Sequence, residues 1–150
     1  MGTIIQSFAG LFRLGRIPSA LRAQLESESR ILYLAEGIAE TAVFKNFRSP
    51  SMCCYRRCTR FIGFFVITEK RIVAKAKWYN QINVNMAYTD PRFQSIAFVA
   101  DSKRLSLAFD ASVQGPQMSG QMEVRLYLPD VGTAAEILQK VGAKIDSRNK

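Results

Sequence analysis

Apolar and polar positions change rhythm along the 150-residue chain. Ile4, Ile5, Phe8, Leu11 and Phe12 recur at helical spacing and place five apolar side chains on one face of an expected first helix. Arg13 and Arg16 follow, and Pro18 at a first-turn position predicts a second short helix, roughly Pro18 to Ser27, with Leu21 and Leu25 four apart. From Arg30 the period shortens. RILYL and AVFKNF read as short strands separated by Gly37, and Pro50 lies in the loop SPSM that closes the second. FIGFFVI and RIVAKAKW flank TEKR and predict a hairpin. Its register sets Ile67 opposite Ile72, Phe65 opposite Ala74, Gly63 opposite Ala76 and Phe61 opposite Trp78, an apolar face that belongs in the core. The other face pairs Val66 with Val73, Phe64 with Lys75 and Ile62 with Lys77. It needs cover, for which the N-terminal amphipathic helix is the candidate.

The alternation continues. INVNMAY alternates Ile82, Val84, Met86 and Tyr88 with smaller or polar residues, and FQSIAFVA and RLSLAFDA flank a turn at Asp101, Ser102 and Lys103. Gln114 to Gly120 reads as a flexible connection into a last strand, QMEVRLYL, which Pro129 ends. Thr133 and Glu136 have the spacing of a capping box, predicting a C-terminal helix with Ile137, Leu138 and Val141 turned inward. The tail from Lys144 is polar and expected to fray. The expected class is α+β, mainly β: about seven antiparallel strands followed by one helix. A helical extension occupies residues 1–27, the strands and terminal helix residues 28–143, and a polar tail residues 144–150.

Composition narrows the chemistry. With 48% hydrophobic and 22% charged residues the chain is an ordered protein of one domain's length. It contains no histidine, which excludes an imidazole base, Ser-His and Cys-His pairs and His-ligated metals. No Gly-rich dinucleotide fingerprint, Walker loop or G-x-S-x-G elbow occurs. Glu36 and Glu40, in a strand, are expected to be solvated rather than to form a hydrolytic pair. Cys53, Cys54 and Cys58 lack both the paired spacing and the fourth ligand of a zinc site, and read instead as small, alternately buried hydrophobes at a strand start, with one of them exposed. The chain is therefore expected to bind rather than catalyse, with no cofactor and no metal.

Charge locates the candidate surface. Of a net +9, the segment from Lys45 to Lys77 carries +8, with nine cations against Glu69 alone. Such density attracts phosphate in lipid head groups or nucleic acid, and its bland alternative is a solvated basic face that serves solubility. The longest apolar run, Phe61 to Ile67, is far short of the ~20 residues of a membrane-spanning helix. The start of the chain lacks the features of a secretory signal, and three clustered cysteines do not make a disulfide framework, so a cytoplasmic location is expected.

Two segments carry a family resemblance. ESESRILYLAEG resembles the opening strand of bacterial pleckstrin-homology-like and GRAM-like domains, and GFFVITEKRIVA resembles their second hairpin, which runs through a Thr-x-Lys-Arg turn. The resemblance covers Glu26 to Val141 and implies a pleckstrin-homology-like barrel, two bent antiparallel sheets capped by the C-terminal helix. The single Trp, Trp78, falls in a strand and not in the terminal helix, which is similar to the bacterial branch. The family implies a scaffold for lipids, peptides or subunit contacts. Its lipid-binding members grip phosphates with a Lys followed by a Lys/Arg-x-Arg pair. Here Arg57 and Arg60 have two residues between them, and Arg56 and Arg57 are followed by Cys58, so the resemblance implies a diffuse anionic contact.

The expected anion or lipid surface is Lys45, Arg48, Arg56, Arg57, Arg60, Lys75 and Lys77, peripheral to the inner face of the membrane. Ile4, Ile5, Phe8, Leu11 and Phe12 are the expected membrane or partner contact. Two alternatives stand beside this reading. One is a protein-interaction or homo-oligomerisation module using the outer hairpin face. The other is nucleic-acid binding through Tyr55, Phe61 and Phe64, disfavoured because the hairpin register places Phe61 in the core.

Overall fold

The computed structural model describes residues 15–50, 52–76 and 83–147. The expected first helix, with Ile4, Ile5, Phe8, Leu11 and Phe12, lies outside these residues, as do Lys77 and Trp78. Helix α1 (Ser19–Glu28) begins after Pro18, whose φ of −59° suits a helix start, and ends where Ser29 turns extended. Then come β1 (Ile31–Arg48), β2 (Cys53–Thr68), β3 (Arg71–Ala76), β4 (Asn83–Ala87), β5 (Ala97–Ala100), β6 (Arg104–Asp110) and β7 (Ser119–Tyr127). Helix α2 (Val131–Lys140) and a short β8 (Ile145–Ser147) complete the chain.

The strands form one curled sheet in the order β4-β3-β2-β1-β7-β6-β5-β8. This corrects the expectation of two sheets and about seven strands. The reason is β1. Gly37 does not divide it but sits at a bulge between Ala35 and Ile38, with φ +64°, so both apolar runs belong to one 18-residue strand. That strand pairs with β2 along its length and with β7 from Glu40 onward, which joins the two expected layers as wings of one sheet. The eighth strand lies in the expected polar tail: residues 145–147 pair in parallel with Phe98, Val99 and Ala100 of β5.

The predicted hairpin register is observed at Ile67↔Ile72, Val66↔Val73, Phe65↔Ala74, Phe64↔Lys75 and Gly63↔Ala76. Phe65, Ile67, Ile72 and Ala74 enter the main core with Phe98, Leu105, Leu107, Val124, Leu126 and Leu138. Phe64, Val66 and Val73 point the other way, where Ile17 and Leu25 cover them, flanked by Leu21, Ile31 and Leu34. Among the described residues the cover is thus α1 and the chain entering it. Gly15 anchors that entry. Its φ is +77°, and a Cβ there would stand 2.8 Å from Gly37 Cα and from Gly63 O. Its carbonyl accepts from Gly37 N at 2.9 Å, and Ile17 N donates to Glu36 Oε1 at 3.1 Å.

Two boundaries differ from expectation because aspartates act as caps. Asp130, rather than Thr133, caps α2 by accepting from Thr133 N, so the helix starts at Val131. Leu138 is fully buried, and Ile137 and Val141 are half-buried against the core. Asp90 accepts from Arg92 N and, with Pro91, turns Pro91–Ser95 into a 3-10 helix, which delays β5 to Ala97. Among the described residues no helix is long and apolar enough to cross a membrane.

Candidate functional site

The long β1–β2 hairpin gathers five of the expected cations. Lys45 faces Arg56, Phe44 faces Arg57, Thr41 faces Arg60, and Arg48 faces Cys53. Lys45, Arg48, Arg56, Arg57 and Arg60 are all exposed. None of them takes part in an ion pair among the described residues. Arg57 Nη1 donates to Met52 Sδ at 3.1 Å. Glu123, opposite Val43, lies beside this stretch by register, and Arg125 already holds it at 2.9 Å.

Other cations of the segment lie elsewhere. Lys75 is opposite Phe64, four residues and about 13 Å along β2 from Arg60, and is half-buried. Arg71 is neutralised by Glu28 at 2.9 Å and also donates to Asn85 at 3.0 Å. Lys77 is outside the described residues.

Like charges directly opposite across a strand pair destabilise it, and Lys45 faces Arg56 with Arg57 next along the strand. A bound anion relieves that repulsion. Tyr55 stands in the same stretch with 84% of its surface exposed. Phe61 and Phe64, the other rings considered for stacking, are buried. The bland reading of this charge also has a structural form: between Cys53 and Ile62, β1 is the only strand partner of β2 among the described residues, and cations on an edge discourage strand addition.

The cysteines depart from expectation. Cys53 and Cys58 are exposed and Cys54 is half-buried, because this end of β2 lies beyond the cover of α1. Among the described residues no group of three His, Cys, Asp or Glu side chains is placed to hold a metal.

Glu40 is the largest departure. Expected to be solvated, it is completely buried on the core face of β1, which it shares with Ile38, Ala42 and Phe44. Neither carboxyl oxygen has a hydrogen-bond partner among the described residues. Burial pushes its pKa up to about 9, so it is protonated at neutral pH. Gly63 makes room for it: a Cβ there would lie 2.8 Å from Glu40 Oε2 and 2.1 Å from Lys75 O. The signal in the sequence was parity, since Glu40 lies two residues from both Ile38 and Ala42. Glu36, outside that face, stays exposed.

Two grooves adjoin the hairpin's strands. One, of about 760 Å³ between α1 and the start of β1, contains Arg22, Glu26 and Arg30, which are engaged in the Arg22–Glu26 and Arg30–Glu69 pairs. The other, of about 270 Å³, is lined by Ala39, Glu40, Thr41, Arg60 and Tyr127 on the outer face of the sheet. Compared with known proteins, the chain matches no family model and no curated protein.

Proposed function

We propose that the protein is a non-catalytic binding module that attaches to an anionic membrane surface through Lys45, Arg48, Arg56, Arg57 and Arg60, on the inner face of the cytoplasmic membrane. One observation carries this reading: five exposed cations share one hairpin and have no carboxylate partner among the described residues. Each such side chain near an anionic bilayer contributes about 1 kcal/mol. Exposed Tyr55 adds an amphipathic ring of the kind enriched at head-group level. The antiparallel order β1 to β7 followed by α2 supports a pleckstrin-homology-like scaffold for this surface. Phe64, Val66 and Val73 of the outer hairpin face are covered by α1, while Ile62 on that face stays exposed, so the cations carry more of this surface than apolar groups do.

Flotation with phosphatidylcholine vesicles, with and without phosphatidylserine, tests the reading. The expected result is flotation with the anionic vesicles only, weakening steeply as salt rises. Arg56→Glu with Arg57→Glu should abolish it while leaving the melting temperature unchanged or higher. Equal flotation with neutral vesicles, or full flotation of the double variant, overturns the proposal.

A further inference from the structure

We infer that the outer face of the sheet also carries a discrete phosphate subsite, centred on Thr41 between Arg60 and Arg125. This deepens the membrane reading, on which its lipid form rests, by naming the head-group chemistry: a phosphate monoester. Register places Thr41 directly opposite Arg60 on β2 and directly opposite Arg125 on β7, so one threonine is flanked by two arginines, of which Arg60 lines the groove with it. Directly opposed residues have Cβ atoms about 5 Å apart, a span that one tetrahedral anion bridges. Thr41 is a buried polar residue, with only 5% of its surface exposed. It is not sealed in the core but lines the groove of about 270 Å³.

The two arginines differ usefully. Among the described residues Arg60 has no carboxylate partner, and it supplies the uncompensated charge of the site. Arg125 is held through Nε by Glu123 at 2.9 Å, which fixes the guanidinium and leaves its terminal nitrogens uncommitted among the described residues. Tyr127 closes the groove and lies opposite Arg104 on β6. Arg104 is itself tied to Asp101 at 2.9 Å. Glu40 contributes to the wall, but its carboxyl belongs to the opposite, core face of β1 and sets no charge against an anion. A phosphate monoester, which carries more charge and more free oxygens than a diester, matches two guanidiniums and a hydroxyl better than a phosphodiester head group does.

The test compares vesicles of phosphatidylcholine with either phosphatidic acid or phosphatidylserine, matched in surface potential, for the wild type, Thr41→Val and Tyr127→Phe. Melting curves verify that each variant is folded. The wild type should bind the phosphatidic acid vesicles about tenfold more tightly, one charge-assisted hydrogen-bond set's worth of discrimination. Thr41→Val should erase the preference while retaining binding to phosphatidylserine, because the hairpin cations are untouched, and Tyr127→Phe should reduce it. In parallel, inorganic phosphate titrated into the wild type should shift the amide resonances of Thr41 and Arg60 saturably, with chloride at equal ionic strength as control.

The outcomes separate the two readings. Binding to both vesicles without preference, and no phosphate shift, overturns the subsite and leaves the membrane reading standing. A preference that survives in Thr41→Val also overturns it. No vesicle binding with a saturable phosphate shift supports the subsite for soluble phosphate monoesters and overturns the membrane reading. Silence in every arm overturns both.

Discussion

Glu40 is a carboxyl folded into the core with no hydrogen-bond partner among the described residues, and its titration follows from that position. Its pKa is about 9 in the folded protein, against 4.5 for the free group. Between those values the folded state holds a proton that the unfolded state has released, so the stability this group contributes is fully present below about pH 4.5 and falls as pH rises towards about 9. Glu40→Gln keeps the shape and removes the ionisation. It should raise stability at pH 7 by roughly 3 kcal/mol, leave it nearly unchanged at pH 4, and flatten the decline between. Urea unfolding at several pH values measures this, and parallel pH profiles for wild type and variant would contradict it. Gly63 is the matching residue. Gly63→Ala forces a methyl group against Lys75 O and the Glu40 carboxyl and should lower stability by about 2 to 4 kcal/mol in the same measurement.

At the scale of elements, the pairing of α1 with the outer face of the β2–β3 hairpin decides which surface remains open. Leu25 is 2% exposed and lies against Phe64, Val66 and Val73. Leu25→Ala should cost about 2 to 5 kcal/mol and expose a hydrophobic patch, seen as increased binding of an environment-sensitive dye before the main unfolding transition. A loss under 1 kcal/mol, with no added dye binding, would mean that α1 contributes little as a cover. The β2–β3 register was legible because its period of two residues and short turn leave one pairing that buries Phe65, Ile67, Ile72 and Ala74 together. Residues 53–60 were less legible as strand, since Cys-Cys-Tyr-Arg-Arg-Cys-Thr-Arg has no apolar alternation. They are extended because β1 supplies the hydrogen-bonding partner.

For the whole molecule, a net charge of +9 with five exposed cations gathered on one hairpin means that the fold works against its own field. At low ionic strength, added salt should raise the melting temperature by about 2 to 4 °C through screening. Arg56→Gln with Arg57→Gln should remove most of that dependence. A melting temperature insensitive to salt in the wild type would show that the hairpin cations are too well hydrated to repel one another. Vesicles containing phosphatidylserine should stabilise the wild type further, since a ligand that binds only the folded state adds to its stability by mass action.

The sequence alone determined the features that depend on neighbours in the chain. These are the mainly β character, the β2–β3 pairing, the helix after Pro18, the helix after the last long strand and the concentration of cations between Lys45 and Lys77. Each arises from local periodicity, a short turn or composition, which adjacent residues settle among themselves. Tertiary structure alone decided that α1 covers Phe64, Val66 and Val73, that Glu40 is buried, that Thr41 stands between Arg60 and Arg125, and that residues 145–147 pair with β5. Those outcomes depend on which distant strand edge and which sheet face remain free once the long β1 has paired with both β2 and β7. The competition for edges and buried area runs between segments distant in the chain, Thr41 and Arg125 among them, and leaves no periodic trace in either one.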